Sequence, residues 1–165
     1  MTAQTYEKWT QPLRRRPRLL RAVLLLNKAL TGLIYLAYPL LLIWLLWQRD
    51  SRFVRVLLVP GISFVLLSVF RDRLNAPRPY EVLDIRPLIH KKTRGHSFPS
   101  RHVFSVSVIA CAFWYIQPRL GAVCLLCAAA MAVVRVLGGV HFPRDVIAGF
   151  LIGIACGAVG FLLLP

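Results

Sequence analysis

Five long apolar blocks, separated by short polar breaks and one long polar loop, organise this chain. They run from about Ala22 to Trp47, Phe53 to Phe70, His102 to Ile116, Ala122 to Leu137 and Val146 to Leu164. Blocks of roughly 17–25 apolar residues are long enough to cross a bilayer as helices, and the shorter third and fourth are expected to borrow flanking residues. Trp44 and Trp47 close the first block, and Trp114 and Tyr115 close the third. Amphipathic rings favour that interfacial depth. The pattern predicts an all-α, polytopic transmembrane helical bundle of about five spans plus a polar loop.

The breaks at 48–52 and 117–121 read as tight turns, whereas residues 71–101 form a much longer polar connection. That loop holds Pro77, Pro79, Pro87 and Pro99, with eight Lys and Arg residues. Long connections in compact proteins are commonly functional. Five spans place the N-terminus, this loop and the segment HFPRD (141–145) on one side of the membrane. The segment's ionisable residues, His141, Arg144 and Asp145, sit between two strongly apolar runs, with Arg135 inside the first of them. A charged residue within a span costs roughly 3 kcal/mol on insertion scales, so such groups require a function or a partner.

Composition supports the membrane reading. The 165 residues are 58% hydrophobic, with a mean hydropathy of +0.64. The basic, polar start lacks the short apolar core and small-residue cleavage site of a signal peptide. Residues 1–21 read as a basic interfacial segment, and 22–165 as the transmembrane domain. The formal net charge is +15, but its carriers lie between apolar spans rather than on a soluble basic face. They suit anionic headgroups or an anionic substrate, not a nucleic acid. Cys111, Cys124, Cys127 and Cys156 all lie in apolar runs and read as buried small hydrophobes. The Cys124–Cys127 pair has no second pair or nearby histidine to complete a zinc site.

Three clusters share the loop side: RDRLNAPRP (71–79), HSFPSRH (96–102), and Arg135 with His141 and Asp145. Pro99 and Pro143 are expected to open helices, because proline is favoured in a first helical turn. Helix starts present free N–H groups that suit an anion, and Ser100 and Arg101 lie at the first of them. Arg71, Arg78, Arg101 and Arg135 converge there, and planar guanidinium forks match phosphate oxygens. Either His102 or His141 has the chemistry of a covalent nucleophile, and the other that of a proton donor to a departing oxygen. Asp145 is placed to orient His141, as the aspartate of a catalytic triad orients its histidine. The arginines supply the positive charge that a divalent ion otherwise would, so no metal or cofactor is expected. Taken singly, each residue also has a structural explanation: arginines snorkel, Ser100 caps a helix, and Asp145 favours a helix start. His90 and His96 read as ordinary loop histidines.

These three motifs resemble those of the type 2 phosphatidic acid phosphatase superfamily, written KxxxxxxRP, PSGH and SRxxxxxHxxxD. Here they stand as Arg71 through Arg78-Pro79, Pro99-Ser100-Arg101-His102, and Val134-Arg135 through His141 and Asp145. All internal spacings match. The resemblance implies that His141 is a nucleophile forming a phosphohistidine, that Asp145 is its partner, and that His102 is the general acid. It also implies that Arg71, Arg78, Ser100 and Arg135 hold phosphoryl oxygens. Three positions depart from the pattern: Arg71 replaces lysine, Val134 replaces serine, and Arg101 replaces glycine. Arg101 is expected to lean toward the substrate, onto a second phosphate.

The expected activity is hydrolysis of a membrane lipid phosphomonoester or diphosphate, of the undecaprenyl diphosphate or phosphatidylglycerol phosphate type. The rivals are transfer of the same phosphoryl group to another acceptor and non-catalytic binding of anionic lipid. The expected location is a cell membrane, multi-pass. Seventeen of the 21 Lys and Arg residues fall on the loop side, against Arg49, Arg52, Arg55 and Arg119 opposite. Positive-inside counting alone puts the site in the cytoplasm, whereas the resemblance implies the outer face.

Overall fold

A computed structural model describes residues 1–163, all helix and connection with no strand among them. A short amphipathic helix α1 (Ala3–Arg14) leads into α2 (Pro17–Trp47), then α3 (Phe53–Leu74). The long loop contains one helical turn, α4 (Pro79–Val82), and is followed by α5 (Arg101–Ile116), α6 (Pro118–Leu137) and α7 (Pro143–Ala158). Residues Val159–Leu163 continue α7 as a π-helical segment. The expected end of the last span, Leu164, lies outside the described residues. Four helices, α2, α3, α6 and α7, are long and apolar enough to cross a membrane, and α5 is a shorter apolar helix.

Among the described residues α2, α5, α6 and α7 begin earlier than their apolar blocks, and α3 begins at Phe53 as its block does. Pro17 and Pro118 open α2 and α6 at the first helical position, where a missing N–H costs nothing. Pro143 opens α7 in the same way. Pro99 does not fit that expectation. It follows a cis Phe98–Pro99 peptide and precedes Ser100, which is the N-cap of α5. The helix-opening residue at this junction is therefore Ser100.

The shortest apolar helix is the most enclosed. Along α5, Val103, Phe104, Val106, Ser107, Val108, Ala110 and Ala112 are buried. A helix apolar on all sides belongs in the middle of a bundle. By contrast α2 exposes Leu25, Leu33, Leu36, Leu40, Ile43 and Trp47, the last 81% exposed. Large apolar side chains left open in this way form the lipid-facing wall. The four cysteines are free and half-buried in these helix contacts.

Contact between α5 and α7 is closest along a stripe of glycines. A Cβ on Gly149 would lie 2.6 Å from the Ser100 carbonyl oxygen, and one on Gly153 2.7 Å from that of Phe104. At Gly157 it would meet Cys111 Cβ at 2.3 Å. Small residues one helical turn apart let two backbones approach without a side chain between them. Because α6 returns the chain between them, α5 and α7 run parallel and start on the same side. Their starts are joined directly: Ser100 N–H donates to the Asp145 carbonyl oxygen at 2.8 Å.

Gly153→Ala is expected to lower the thermal unfolding temperature in detergent by about 5 °C, since overpacking typically costs about 1–3 kcal/mol. Gly61→Ala, where a Cβ meets nothing within 4 Å, is the control and is expected to leave that temperature unchanged or slightly raised.

Candidate active site

The helix starts of α5 and α7 meet the ends of α3 and α6 beneath the long loop. At the centre lies His141, in the turn before α7 and 1% exposed. Its Nδ1 is 3.7 Å from Asp145 Oδ2 and 3.4 Å from Ser97 Oγ. Ser97 Oγ–H donates to Asp145 Oδ2 at 2.5 Å, so the same oxygen is free to accept from Nδ1–H. The shortest hydrogen-bonded route from imidazole to carboxylate thus passes through a serine. Asp145 Oδ2 also accepts the Phe142 N–H at 2.9 Å, which fixes the carboxylate in the first turn of α7. The arrangement holds the Nδ1–H tautomer and leaves Nε2 as the nitrogen engaged by neither residue.

Burial drives the His141 imidazolium well below its ordinary range, to about 4, with Asp145 pulling upward and Arg78 and Arg135 pushing down. The ring is therefore neutral near pH 7, as a nucleophile requires.

The arginines divide into two kinds. Arg78 and Arg71 are buried and tied to the loop backbone. Arg78 Nε donates to the Gly95 carbonyl at 2.9 Å and Nη1 to that of Val140 at 3.1 Å. Arg71 donates to the carbonyls of His96 and Ser97. Gly95 and His96 have φ of 63° and 52°, a left-handed turn that directs carbonyls toward these guanidinium groups. Such backbone persists in a non-glycine residue only when its surroundings hold it. The two arginines thus shape the loop while keeping part of their five-donor forks free.

Arg135 and Ser100 are different. Both are buried, at 3% and 0% exposed, and Arg135 Nε and Ser100 Oγ have no hydrogen-bond partner among the described residues. Ser100 does not use its side chain as a cap. Buried donors left unpaired are costly, so they mark a place built for a guest. His102, in the first turn of α5, lies within electrostatic reach of Arg135, Lys91 and Arg101 and of the His141 ring. Arg101 is exposed, its guanidinium carbon 5.6 Å above the Phe64 ring of α3. The structure brings His141, Asp145, Arg71, Arg78, Ser100 and Arg135, all buried, together with the half-buried His102, and leaves the exposed Arg101 at the edge.

Of the loop histidines, His96 Nδ1 lies 3.2 Å from Asp72 Oδ1, outside this cluster. No three His, Cys, Asp or Glu side chains converge as a metal site would require, among the described residues.

Three residues escaped the sequence reading. Ser97 was visible only as a polar residue inside HSFPSRH. Lys91 belongs to the loop but carries no motif; it feels the charges of Arg135, Arg78, Arg101 and Arg71. Tyr6 of α1 is fully buried, although nothing in the basic N-terminal segment announces a buried tyrosine. Its hydroxyl donates to the Leu137 carbonyl at 3.1 Å and accepts the Leu88 N–H at 3.2 Å. It lies against Gly139, whose φ is 73° and whose absent Cβ would sit 2.7 Å from that hydroxyl. Tyr6 therefore pins the long loop to the turn that carries His141, beside a second tie from Ile89 N–H to the Gly138 carbonyl at 3.0 Å.

The chain belongs to the PAP2 superfamily, whose family model matches residues 52–165. It is similar to the crystal structure of Aquifex aeolicus LpxE, with a TM-score of 0.75 and 28% identity, covering 96% of this chain and 93% of that one. It is also similar to a PAP2 type phosphatidylglycerolphosphate phosphatase from Bacillus subtilis, with a TM-score of 0.61 and 25% identity, covering 86% and 80%. A sequence relative is the undecaprenyl-diphosphatase of Sulfolobus acidocaldarius, 29% identical over 124 residues. The match takes in 74% of this chain and 60% of that relative's length.

A histidine neutral in the fold and titrating near 6.5 when unfolded stabilises the fold fully above that pH, and this contribution is lost as pH falls through about 4. His141→Gln, which cannot protonate, is expected to flatten the fall in unfolding temperature between pH 6.5 and 4. An unchanged slope would mean that His141 is not buried as a neutral ring.

Proposed function

We propose that this PAP2 member is an integral membrane phosphatase that removes a terminal phosphoryl group from a lipid phosphomonoester or diphosphate. Substrates of the undecaprenyl diphosphate or phosphatidylglycerol phosphate type fit this reading. The observation that carries it is the pair of unpartnered buried donors, Ser100 Oγ and Arg135 Nε, in the cluster that also holds His102 and His141. A tetrahedral anion satisfies both, and the free N–H groups of Arg71 and Arg78 are available to its remaining oxygens.

In this mechanism His141 Nε2 attacks phosphorus, forming the P–N bond of a phosphohistidine as the P–O bond to the leaving group breaks. Its Nδ1–H, held through Ser97 and by the Asp145 charge, stabilises the positive charge that develops on the ring. His102 gives a proton to the departing oxygen. A water then attacks the phosphohistidine, His102 takes back a proton, and the P–N bond breaks to release phosphate. Arg71, Arg78 and Arg135 neutralise charge on the equatorial oxygens throughout, a role that preorganised cations fill without reorganisation. Arg101 extends this positive rim on the outer side. The hydrophobic tail of the substrate stays among the apolar helix faces, so the headgroup alone enters the site.

Purified protein is expected to release phosphate from a panel of lipid phosphates with EDTA present. His141→Ala should reduce release to background, and His102→Ala should lower kcat by about 10²–10⁴-fold, the usual worth of a general acid. Ser97→Ala should lower kcat with little change in KM, because it acts through His141 and not on the substrate. Binding of lipid phosphates without phosphate release would identify a lipid-binding protein instead, and complete loss of activity in EDTA would overturn the metal-free mechanism.

A further inference from the structure

Glu81 stands at the surface, in the one helical turn of the long loop. It lies outside the three motifs and has no part in the mechanism above. Its side chain nevertheless turns inward. Oε2 accepts the Arg78 N–H at 2.7 Å and the Gly95 N–H at 2.9 Å, and Oε1 lies 3.1 Å from the same Gly95 nitrogen. The Glu81 N–H returns a bond to the Arg78 carbonyl at 3.0 Å. Arg78 closes the ring, because its Nε donates to the Gly95 carbonyl at 2.9 Å. Gly95 is therefore gripped at both ends, its N–H by a carboxylate and its C=O by a guanidinium.

The grip matters because of where Gly95 leads. It is buried, has a φ of 63°, and is followed by His96 with a φ of 52° and then by Ser97. Two left-handed residues in succession need their surroundings to hold them. Ser97 N–H donates to the Ala76 carbonyl at 2.8 Å, and Ser97 Oγ–H reaches Asp145 Oδ2 at 2.5 Å. Ala76 thus anchors the Ser97 backbone, and the turn before it sets the direction from which Ser97 arrives. Without Glu81, Arg78 still keeps its Nη1 bond to the Val140 carbonyl at 3.1 Å. The Gly95 N–H, by contrast, has no acceptor but Glu81 among the described residues. The loss falls on the turn and on Ser97 rather than on the arginine.

We propose that Glu81 is a positioning residue of the phosphoryl site. By holding the Gly95 N–H it keeps the left-handed turn that delivers Ser97 to Asp145 and His141. This rests on the phosphatase reading given above. What Glu81 supplies is reach and an acceptor oxygen, not charge. Glutamine has the same length and one such oxygen, whereas aspartate keeps the charge and is one methylene too short to bridge Arg78 and Gly95.

Phosphate release from lipid phosphates gives the first readout. Glu81→Leu is expected to lower kcat about tenfold or more, the worth of one buried unpaired N–H, with KM within about twofold of native. Glu81→Gln should keep most of the native kcat, and Glu81→Asp should fall with Glu81→Leu. In a Ser97→Ala background the same substitutions should cost little more, because their effect runs through that hydroxyl. An active Asp variant beside an inactive Gln variant, a loss carried by KM alone, or the full loss repeated on Ser97→Ala overturns the positioning role. If Glu81→Leu does not fold, the Gln and Asp variants decide. The second readout needs no substrate: ring-nitrogen NMR of histidine-labelled protein, with the His141 signals assigned by His141→Gln. Those signals are expected to move in Glu81→Leu and Glu81→Asp as they do in Ser97→Ala, and to stay in place in Glu81→Gln. Signals unmoved in Glu81→Leu and Glu81→Asp overturn the proposal. Native protein that hydrolyses no lipid phosphate defeats the phosphatase reading alone, since the NMR comparison still judges Glu81.

Discussion

Everything at the catalytic end follows from how closely α5 and α7 can approach. Gly149 and Gly153 let the α7 backbone lie against the backbone of Ser100 and Phe104, and Gly157 seats it on the Cys111 side chain. Two parallel helix starts then come within a single backbone hydrogen bond of each other, Ser100 N–H to the Asp145 carbonyl. Move the helices apart by the width of a methyl group and Ser97 no longer reaches Asp145, nor does the start of α5 reach that of α7. The apolar packing deep in the membrane therefore sets ångström-level geometry at its surface.

Electrostatics imposes the second constraint. Buried cations repel one another, and the protein contains that repulsion by giving two of them internal partners. Arg71 and Arg78 are turned onto the carbonyls of residues 95–97 and 140, which shapes the loop and moderates the charge at once. Arg135 is left with a free donor. The site is thus divided between cations that build it and cations that wait for a guest. Arg71 and Arg78 order the loop, and under the proposed function their remaining N–H groups also meet phosphoryl oxygens, whereas Arg135 has only that second task.

Much of this was legible in the sequence. Hydropathy locates the spans, and counting them places the three polar clusters on one side without any structural information. Proline correctly marks the start of α7, but not that of α5, where Pro99 precedes the helix and Ser100 takes the cap position. Residue types in the clusters suggest phosphate and histidine chemistry because guanidinium forks and imidazoles have few other reasons to gather between membrane spans. What stayed hidden depends on the path of the loop. Ser97 and Lys91 have no periodicity or spacing that assigns them a direction, and the left-handed turn at Gly95 and His96 immediately precedes Ser97. The double duty of Arg71 and Arg78 was equally invisible, since a sequence does not show which carbonyls will face a side chain. Tyr6 was hidden for a further reason: its partners at Leu88 and Leu137 are remote in the chain.

That tyrosine also redraws the boundary of the machine. The family match begins at residue 52, yet a phenol from the sixth residue is wedged between the loop and the turn that bears His141. The chemical vocabulary of the site is written in the shared motifs, while the stiffness with which it is held is written partly outside them. Two chains with identical motifs are free to differ in tempo through their first helix alone. Here that helix also carries the exposed Trp9 and the neighbouring Lys8, so whatever those two side chains meet is linked through one short helix to the turn that bears His141.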